Sequence, residues 1–400
     1  DSNTAVGFKA LEANTTGAAN TAVGANALDA NTTGGSNIAI GKDAVTANTS
    51  GAGNIGIGVG ALRANTTAGE VTGVGDGCLA ANTSGASNTA FGSQALAGCT
   101  TGSSNIAVGN YALNDVTTGT NNVAIGVVAG DAITTGIHNV ALGNYALTAN
   151  TTGELNTAIG HESMFVSTTT VGNVGVGRRT LYGCTTADNN TAIGYLSGYA
   201  ATSGAQNTTL GTSSGQITPT TGSHNLLLGF STNSGVGGSV GRIVIGDSFA
   251  GTSDTRVHIG NATSHIYNDY NSNATWTHSS DERSKKDIES SALGLDFINE
   301  LKPVTYKFKA PSEYPQEWES YNVDKTKPSN QNTQHGMIAQ DVKEALDKFG
   351  IEDFKGWDVL PDGKQQISEA MFVFPLIKAM QELSTQVDEL KSELLALKGE

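Results

Sequence analysis

The sequence predicts an all-β solenoid, a parallel β-roll of 17-residue coils, followed by a small α+β domain and a C-terminal coiled-coil helix. Three observations carry this reading. Glycines at Gly7, Gly24, Gly41, Gly58, Gly75, Gly92, Gly109, Gly126, Gly143, Gly160, Gly177, Gly194 and Gly211 fall 17 residues apart, and a fixed short period marks a stacked repeat. Before each glycine a short stretch alternates small and bulky side chains, the period-2 pattern of a strand. Beyond about residue 272 the composition turns to that of an ordinary charged globular domain.

Each unit reads like Asn20-Thr21-Ala22-Val23-Gly24, then a small-residue stretch with an Ala27-Leu28 step, then Asn31-Thr32-Thr33-Gly34. The middle strand position is Ala or Gly in nearly every unit (Ala22, Ala39, Gly56, Gly73, Ala90), whereas its neighbours are mostly Thr, Ile, Val, Leu or Phe. A tiny residue on one face and a branched one on the other suits a narrow coil whose second face packs on something else. The glycine supplies a corner that a Cβ would obstruct. Asparagines such as Asn20, Asn37, Asn54, Asn88, Asn105 and Asn122 recur in register, so stacking would align their amides as ladders. After Gly211 the spacing loosens through Gly229 and Gly246 to Gly260, where it stops. Sixteen coils stacked about 4.8 Å apart make a shaft on the order of 75 Å long.

These signals divide the chain into a shaft over residues 1–260, a linker over 261–279, and a domain over 280–400 that includes a coiled coil over 373–398. Residues 1–272 hold 7 Lys and Arg against 14 Asp and Glu, and residues 273–400 hold 15 against 23. Trp276, Trp318, Trp357 and every proline except Pro219 fall in the second part, because a solenoid has little room for either residue type. A net charge of −15 argues against nucleic acid or an anionic membrane as partner, since both require a basic patch. The sequence contains neither an apolar run long enough to span a bilayer nor a signal peptide, so no membrane insertion is expected and secretion by that route is unsupported. Asp1 falls inside a repeat without an initiating Met, which predicts that further chain precedes it.

Cysteine is odd in number. Cys99 and Cys184 take a repeat position usually held by Asn, and Cys78 takes an Ala position, which predicts free thiols in small buried slots rather than disulfides. Gly73-Val74-Gly75-Asp76-Gly77 resembles a phosphate loop but lacks the strand-turn-helix setting. The paired threonines (Thr15/Thr16, Thr32/Thr33, Thr151/Thr152) could form a flat ice-binding array, yet Thr after Asn is ordinary turn chemistry. His138, His161, His224, His258 and His265 show no ligand spacing and no calcium nonapeptide is present, so neither metal nor cofactor is expected.

The informative chemistry lies past the shaft. Ser280-Asp281-Glu282-Arg283-Ser284-Lys285-Lys286-Asp287-Ile288 precedes a helix-like stretch from Leu293 to Leu301, a strand-like Pro303-Val304-Thr305-Tyr306-Lys307-Phe308, and Gly336-Met337-Ile338-Ala339-Gln340-Asp341-Val342. By its residues alone the first segment reads as a solvated helix start, with Ser280 as N-cap and Glu282 and Lys285 in the first turns. The order of motifs, however, closely resembles the C-terminal intramolecular chaperone auto-processing domain of phage tail spikes and fibres, known also from endosialidases. The shaft repeats resemble in architecture the head repeats of trimeric autotransporter adhesins, though the period here is longer.

The chaperone resemblance implies self-cleavage by a Ser–Lys dyad. A serine hydroxyl is a poor nucleophile until a base takes its proton, and a lysine serves as base only where desolvation lowers its pKa. Ser280 and Lys285 match those positions; Asp281 and Arg283 would hold the turn, and His335 or Gln340 would contact the site. The last helix places Val373, Leu376, Met380, Leu383, Val387, Leu390, Leu394 and Leu397 at alternating spacings of three and four, a heptad seam. Val with Leu at such positions allows dimers as well as trimers, so the homotrimer rests on the resemblance.

The reading is a structural phage tail-fibre or tail-spike shaft whose chaperone registers three chains and cuts itself in cis beside Ser280, without turnover on an external substrate. The expected partners are its own copies, other tail proteins through a preceding part, and a host-cell surface glycan or protein receptor. Assembly would occur in the host cytoplasm and the product would reside in the virion. The same modules also suit a bacterial or viral surface adhesin, or part of a polysaccharide-degrading tail spike.

Overall fold

The computed structural model describes residues 2–216, 221–269, 277–278, 281–318, 320–328 and 331–398. They form two compact units, Asp1–Ser280 and Asp281–Glu400.

In the first unit sixteen three- to six-residue strands, from Thr4–Val6 to Arg256–Asn261, pair in parallel, each with the next. Register advances by one repeat at a time: Thr21, Ala22 and Val23 face Ile38, Ala39 and Ile40. The small middle residue of each strand points into the coil, where Ala22, Ala39, Ala90 and Ala107 are fully buried. Its branched neighbours point outward, leaving Ile40, Phe91, Ile125, Leu142 and Ile193 exposed. The alternation read from the sequence is thus a partition between a filled interior and an outer apolar face.

Beyond the strand, each coil turns through residues of positive φ. The period glycines adopt φ between 122 and 147°, a region closed to residues with a Cβ. The leucines that fill the interior are also left-handed, with φ of 55° at Leu28, 54° at Leu62 and 51° at Leu79. Bulky residues avoid this region in isolation; here burial of each side chain against the coils above and below outweighs the local cost. Gly130 takes the leucine place in one coil, and fully buried Ile133, in a position that Asn31, Asn48, Asn65 and Asn82 hold in earlier coils, fills the space. Where Gly198 and Gly215 take it in successive coils, a cavity of about 20 Å3 remains between Leu181 and Leu227.

Two asparagine columns run through the stack. Asn37 is fully buried: its backbone N–H donates to Asn20 Oδ1 (2.9 Å), and its Nδ2 donates to the same oxygen (3.2 Å) and to Gly51 O (2.9 Å). In the second column Asn31 Nδ2 donates to Asn14 Oδ1 and Gly34 O, each at 2.9 Å. Cys99 substitutes there as a small buried donor, its Sγ 3.4 Å from Gly102 O. All three cysteines are free and buried, and burial pushes the Cys78 thiol up to about 12 and Cys99 and Cys184 to about 11, so none is a reactive thiolate at neutral pH. From Thr15 to Thr185 a threonine in each coil donates its Oγ1 proton to the threonine carbonyl of the next. Those protons are committed along the stack, as turn chemistry requires, rather than presented outward.

Toward the C-terminal end of the solenoid the interior becomes polar. Ser163 and Thr180 share a 2.7 Å hydrogen bond and Ser214 and Thr232 one of 2.9 Å. Arg242 stands in the asparagine column. Its N–H still donates to Asn225 Oδ1 (3.0 Å), while the buried guanidinium pairs with Asp254 (2.8 Å) and donates to the carbonyls of Gly251 and Ser234. The strand His265–Asp269 then runs antiparallel to Arg256–Asn261, and Thr277–His278 antiparallel to it. The sheet therefore continues through residues that the sequence reading assigned to a linker, and an antiparallel strand covers an edge that would otherwise offer unpaired backbone.

Under that edge His258 is fully buried, its Nε2 accepting from Thr252 N–H at 3.4 Å. Burial, then the positive groups Arg256, His265 and Arg242, hold its pKa down to about 4 from 6.5. The unfolded chain therefore takes up this proton first as pH falls. Stability from neutral His258 is complete above about pH 6.5 and declines as pH falls toward 4, by roughly 3 kcal/mol. Thermal melts by circular dichroism are expected to show this decline in the wild type and a smaller one in His258→Gln; an equal decline in both would assign it to other groups.

The second unit builds a small α+β core. Helix α1 (Leu295–Glu300) leads to the strand Val304–Tyr306, which pairs antiparallel with Gln334–Gly336. Helix α2 (Ala339–Lys348) follows, then the hairpin Trp357–Val359 with Gln365–Ile367, and finally helix α3 (Val373–Lys398). Leu293 and Phe297 from the α1 region, Val342, Ala345 and Leu346 from α2, and Phe372 ahead of α3 form the buried cluster. Phe297 lies parallel to Phe372 and edge-on to Phe349.

Candidate functional site

The segment proposed for self-processing begins the second unit. Asp281 caps a single 3-10 turn, Glu282–Ser284, by accepting from Arg283 N–H at 2.9 Å. The Arg283 guanidinium returns to the same carboxylate through Nε (3.0 Å) and a terminal nitrogen (2.6 Å). This fork-on-carboxylate geometry and the amide bond together hold the Asp281 carboxyl below its ordinary range. Lys285 closes the turn, its backbone N–H donating to Glu282 O at 2.9 Å, and its side chain is exposed. Ser280 lies outside the described residues. His335 is exposed on the strand Gln334–Gly336, opposite Thr305, and Gln340 is exposed in the first turn of α2. The five described residues thus sit on a turn, a strand and a helix of one unit.

Helix α3 is anchored at its root and open along its length. Pro375 and Ala379 are buried. Glu382 reaches back to α1, where its Oε2 accepts Leu295 N–H at 2.7 Å. Gly294 permits this approach, since a Cβ there would come within 2.2 Å of that oxygen. A carboxylate at a helix start is favoured by its free N–H groups. Across the same helix all eight heptad residues, from Val373 to Leu397, are exposed. The sequence marked the seam, but it carried no sign of the Glu382 cap, whose partner is 87 residues distant.

No helix among the described residues is long and apolar enough to cross a membrane, and no group of three His, Cys, Asp or Glu among them could hold a metal ion. A repetitive parallel solenoid, followed by a small α+β unit whose last helix exposes an apolar seam, has the architecture of a structural protein. More particularly, residues 280–351 match the family described as the chaperone of endosialidase. The match places an endosialidase-type chaperone domain in the C-terminal unit, and such a domain behind a β-solenoid shaft fits a structural protein of tail-fibre or tail-spike type. It spans Ser280, Asp281, Arg283, Lys285, His335 and Gln340 but not α3. Comparison with curated proteins and with solved structures finds no match to the chain.

Proposed function

We propose that the chain is a homotrimeric shaft of a phage tail fibre or spike, aligned during assembly by its C-terminal domain. The observation that supports this best is the outer strand face. Each coil contributes a Val, Ile, Leu or Phe just before its period glycine, and the resulting column from Val6 to Leu210 is exposed or half-buried throughout. A continuous apolar face of this kind marks an interaction surface, and identical parallel stacks present identical faces to one another. The seam of α3 supplies a second such surface at the registering end. In this setting other tail proteins join one end and a host-cell surface is met by the shaft. Light scattering of the purified chain tests the assembly: a trimer is expected at micromolar concentration, and a monomer would end this reading.

Self-cleavage follows from the same assembly. Ser280 Oγ attacks the carbonyl carbon of Ser279 while Lys285 takes the hydroxyl proton. The Ser279–Ser280 peptide bond breaks as the chain transfers to an ester, the freed amine takes up the proton, and water hydrolyses the ester. A cut between Ser280 and Asp281 is the other outcome compatible with the family resemblance. Lys285 is exposed in the single chain, and a lysine becomes a base only where packing removes its water. Cutting would therefore wait until three copies close around the turn. Intact-mass analysis is expected to show a cut beside Ser280 in the wild type and full-length chains, still trimeric, in Ser280→Ala and Lys285→Ala. Full-length wild type after proven trimerisation would leave the domain a permanent cap.

A further inference from the structure

The coil surface changes character once along the shaft. In the column five residues past each period glycine the chain carries small, polar or charged residues, among them Arg63, Ala80, Ala97, Asn114, Asp131 and Thr148, and then Phe165, Tyr182 and Tyr199 in three successive coils. These rings stack, with centroids 5.4 Å apart for Phe165 and Tyr182 and 5.1 Å for Tyr182 and Tyr199. Beside them run Arg178 and Arg179, the only adjacent pair of basic residues among residues 1–272. Arg179 lies against Tyr182 and is neutralised by Glu162. Arg178 is exposed, forms no ion pair among the described residues, and lies 5.8 Å from the ring centre of Tyr195, itself exposed.

The geometry points to a binding site for an extended, carboxylate-bearing saccharide along this surface. Phe165 adds apolar area, and the tyrosines combine apolar area with polar tips, the character of a pyranose with its C–H faces and equatorial hydroxyls. Repetition at the coil rise of about 4.8 Å suits a polymer lying along the axis. The exposed guanidinium of Arg178, which makes no direct ion pair among the described residues, selects a carboxylate, because its planar fork matches that anion's geometry. In a shaft otherwise dominated by acidic residues, it adds a positive group beside the aromatic rings, where an anionic chain can approach. The site lies on the turns after the period glycine and not on the strand face assigned to the contact between copies.

This site rests on the reading of the shaft as the part that meets a host surface, and its test keeps the two apart. Purified full chain is titrated calorimetrically with oligogalacturonate, oligomannuronate and hyaluronate fragments, with methyl-esterified oligogalacturonate as the uncharged control. At least one acidic oligomer is expected to bind, weakening as salt rises. Its affinity should fall about tenfold or more in Arg178→Gln, as for a lost charged hydrogen bond, and also in Tyr195→Ala. For oligogalacturonate the esterified form should bind no better than that variant does. Light scattering on the same samples reports assembly separately, so trimers without saccharide binding would overturn the site alone. Binding unchanged in Arg178→Gln, or equal for acid and ester, would likewise overturn it.

Discussion

Chains made without residues 276–400 are expected to give aggregated or misregistered shafts, whereas removing those residues after assembly should leave the shaft intact. The reason lies in the repeat. Each of the sixteen parallel strands presents nearly the same outer face as the next, so sliding one chain by a coil forfeits only the contacts of a terminal coil. Many registers are then close in free energy, and exposed apolar faces associate before the correct one is found. The α3 seam has no such periodic ambiguity over its 26 residues when joined to a folded domain at its root. Once aligned, dissociation must break long interfaces together, so the shaft should persist without the domain that formed it. Sedimentation and electron microscopy of the truncated chain, compared with a shaft whose C-terminal unit is removed at an inserted protease site, decide the matter. Equal assembly by the truncated chain would remove the chaperone role.

Gly92→Ala is expected to destabilise the solenoid by roughly 3 kcal/mol or more, through backbone strain and overpacking together. A Cβ at Gly92 would lie 2.5 Å from Gly109 O and 2.6 Å from its carbonyl carbon, at φ 137°. The obstructing atoms are backbone of the next coil, held by its own ladder, and cannot turn aside as a side chain would. Gly60→Asn provides the contrast. Gly60 has φ 65° with nothing within 4 Å of an added Cβ, and the equivalent residues Asn26 and Asp43 already adopt φ 56 and 57°. Thermal melts should show a large drop for Gly92→Ala and little change for Gly60→Asn; comparable melting temperatures for the two would refute the corner assignment.

The sequence by itself determined the shaft, because in a solenoid the contacts between coils join residues about one repeat apart. The glycine corners, the inward Ala22 and outward Val23 faces, the amide column through Asn20 and Asn37, and the buried slots of Cys78, Cys99 and Cys184 all follow from aligning the chain on its period. The heptad residues of α3 were legible for the same reason. The processing turn was legible differently, as a string of residues resembling a family; the structure adds the Asp281–Arg283 fork and places His335 and Gln340 on separate elements. Only the tertiary structure decided the left-handed leucines, since no local preference would put Leu28 at φ 55° without coils on both sides to bury it. It alone decided that Ile133 fills the space beside Gly130, that Arg242 enters the asparagine column, that strands continue past Gly260, and that Glu382 caps α1. The leucine conformation depends on burial by neighbouring coils, and the others on contacts that depart from the repeat, such as Arg242 with Asp254 and Glu382 with Leu295, whose partners become neighbours only when the chain has folded.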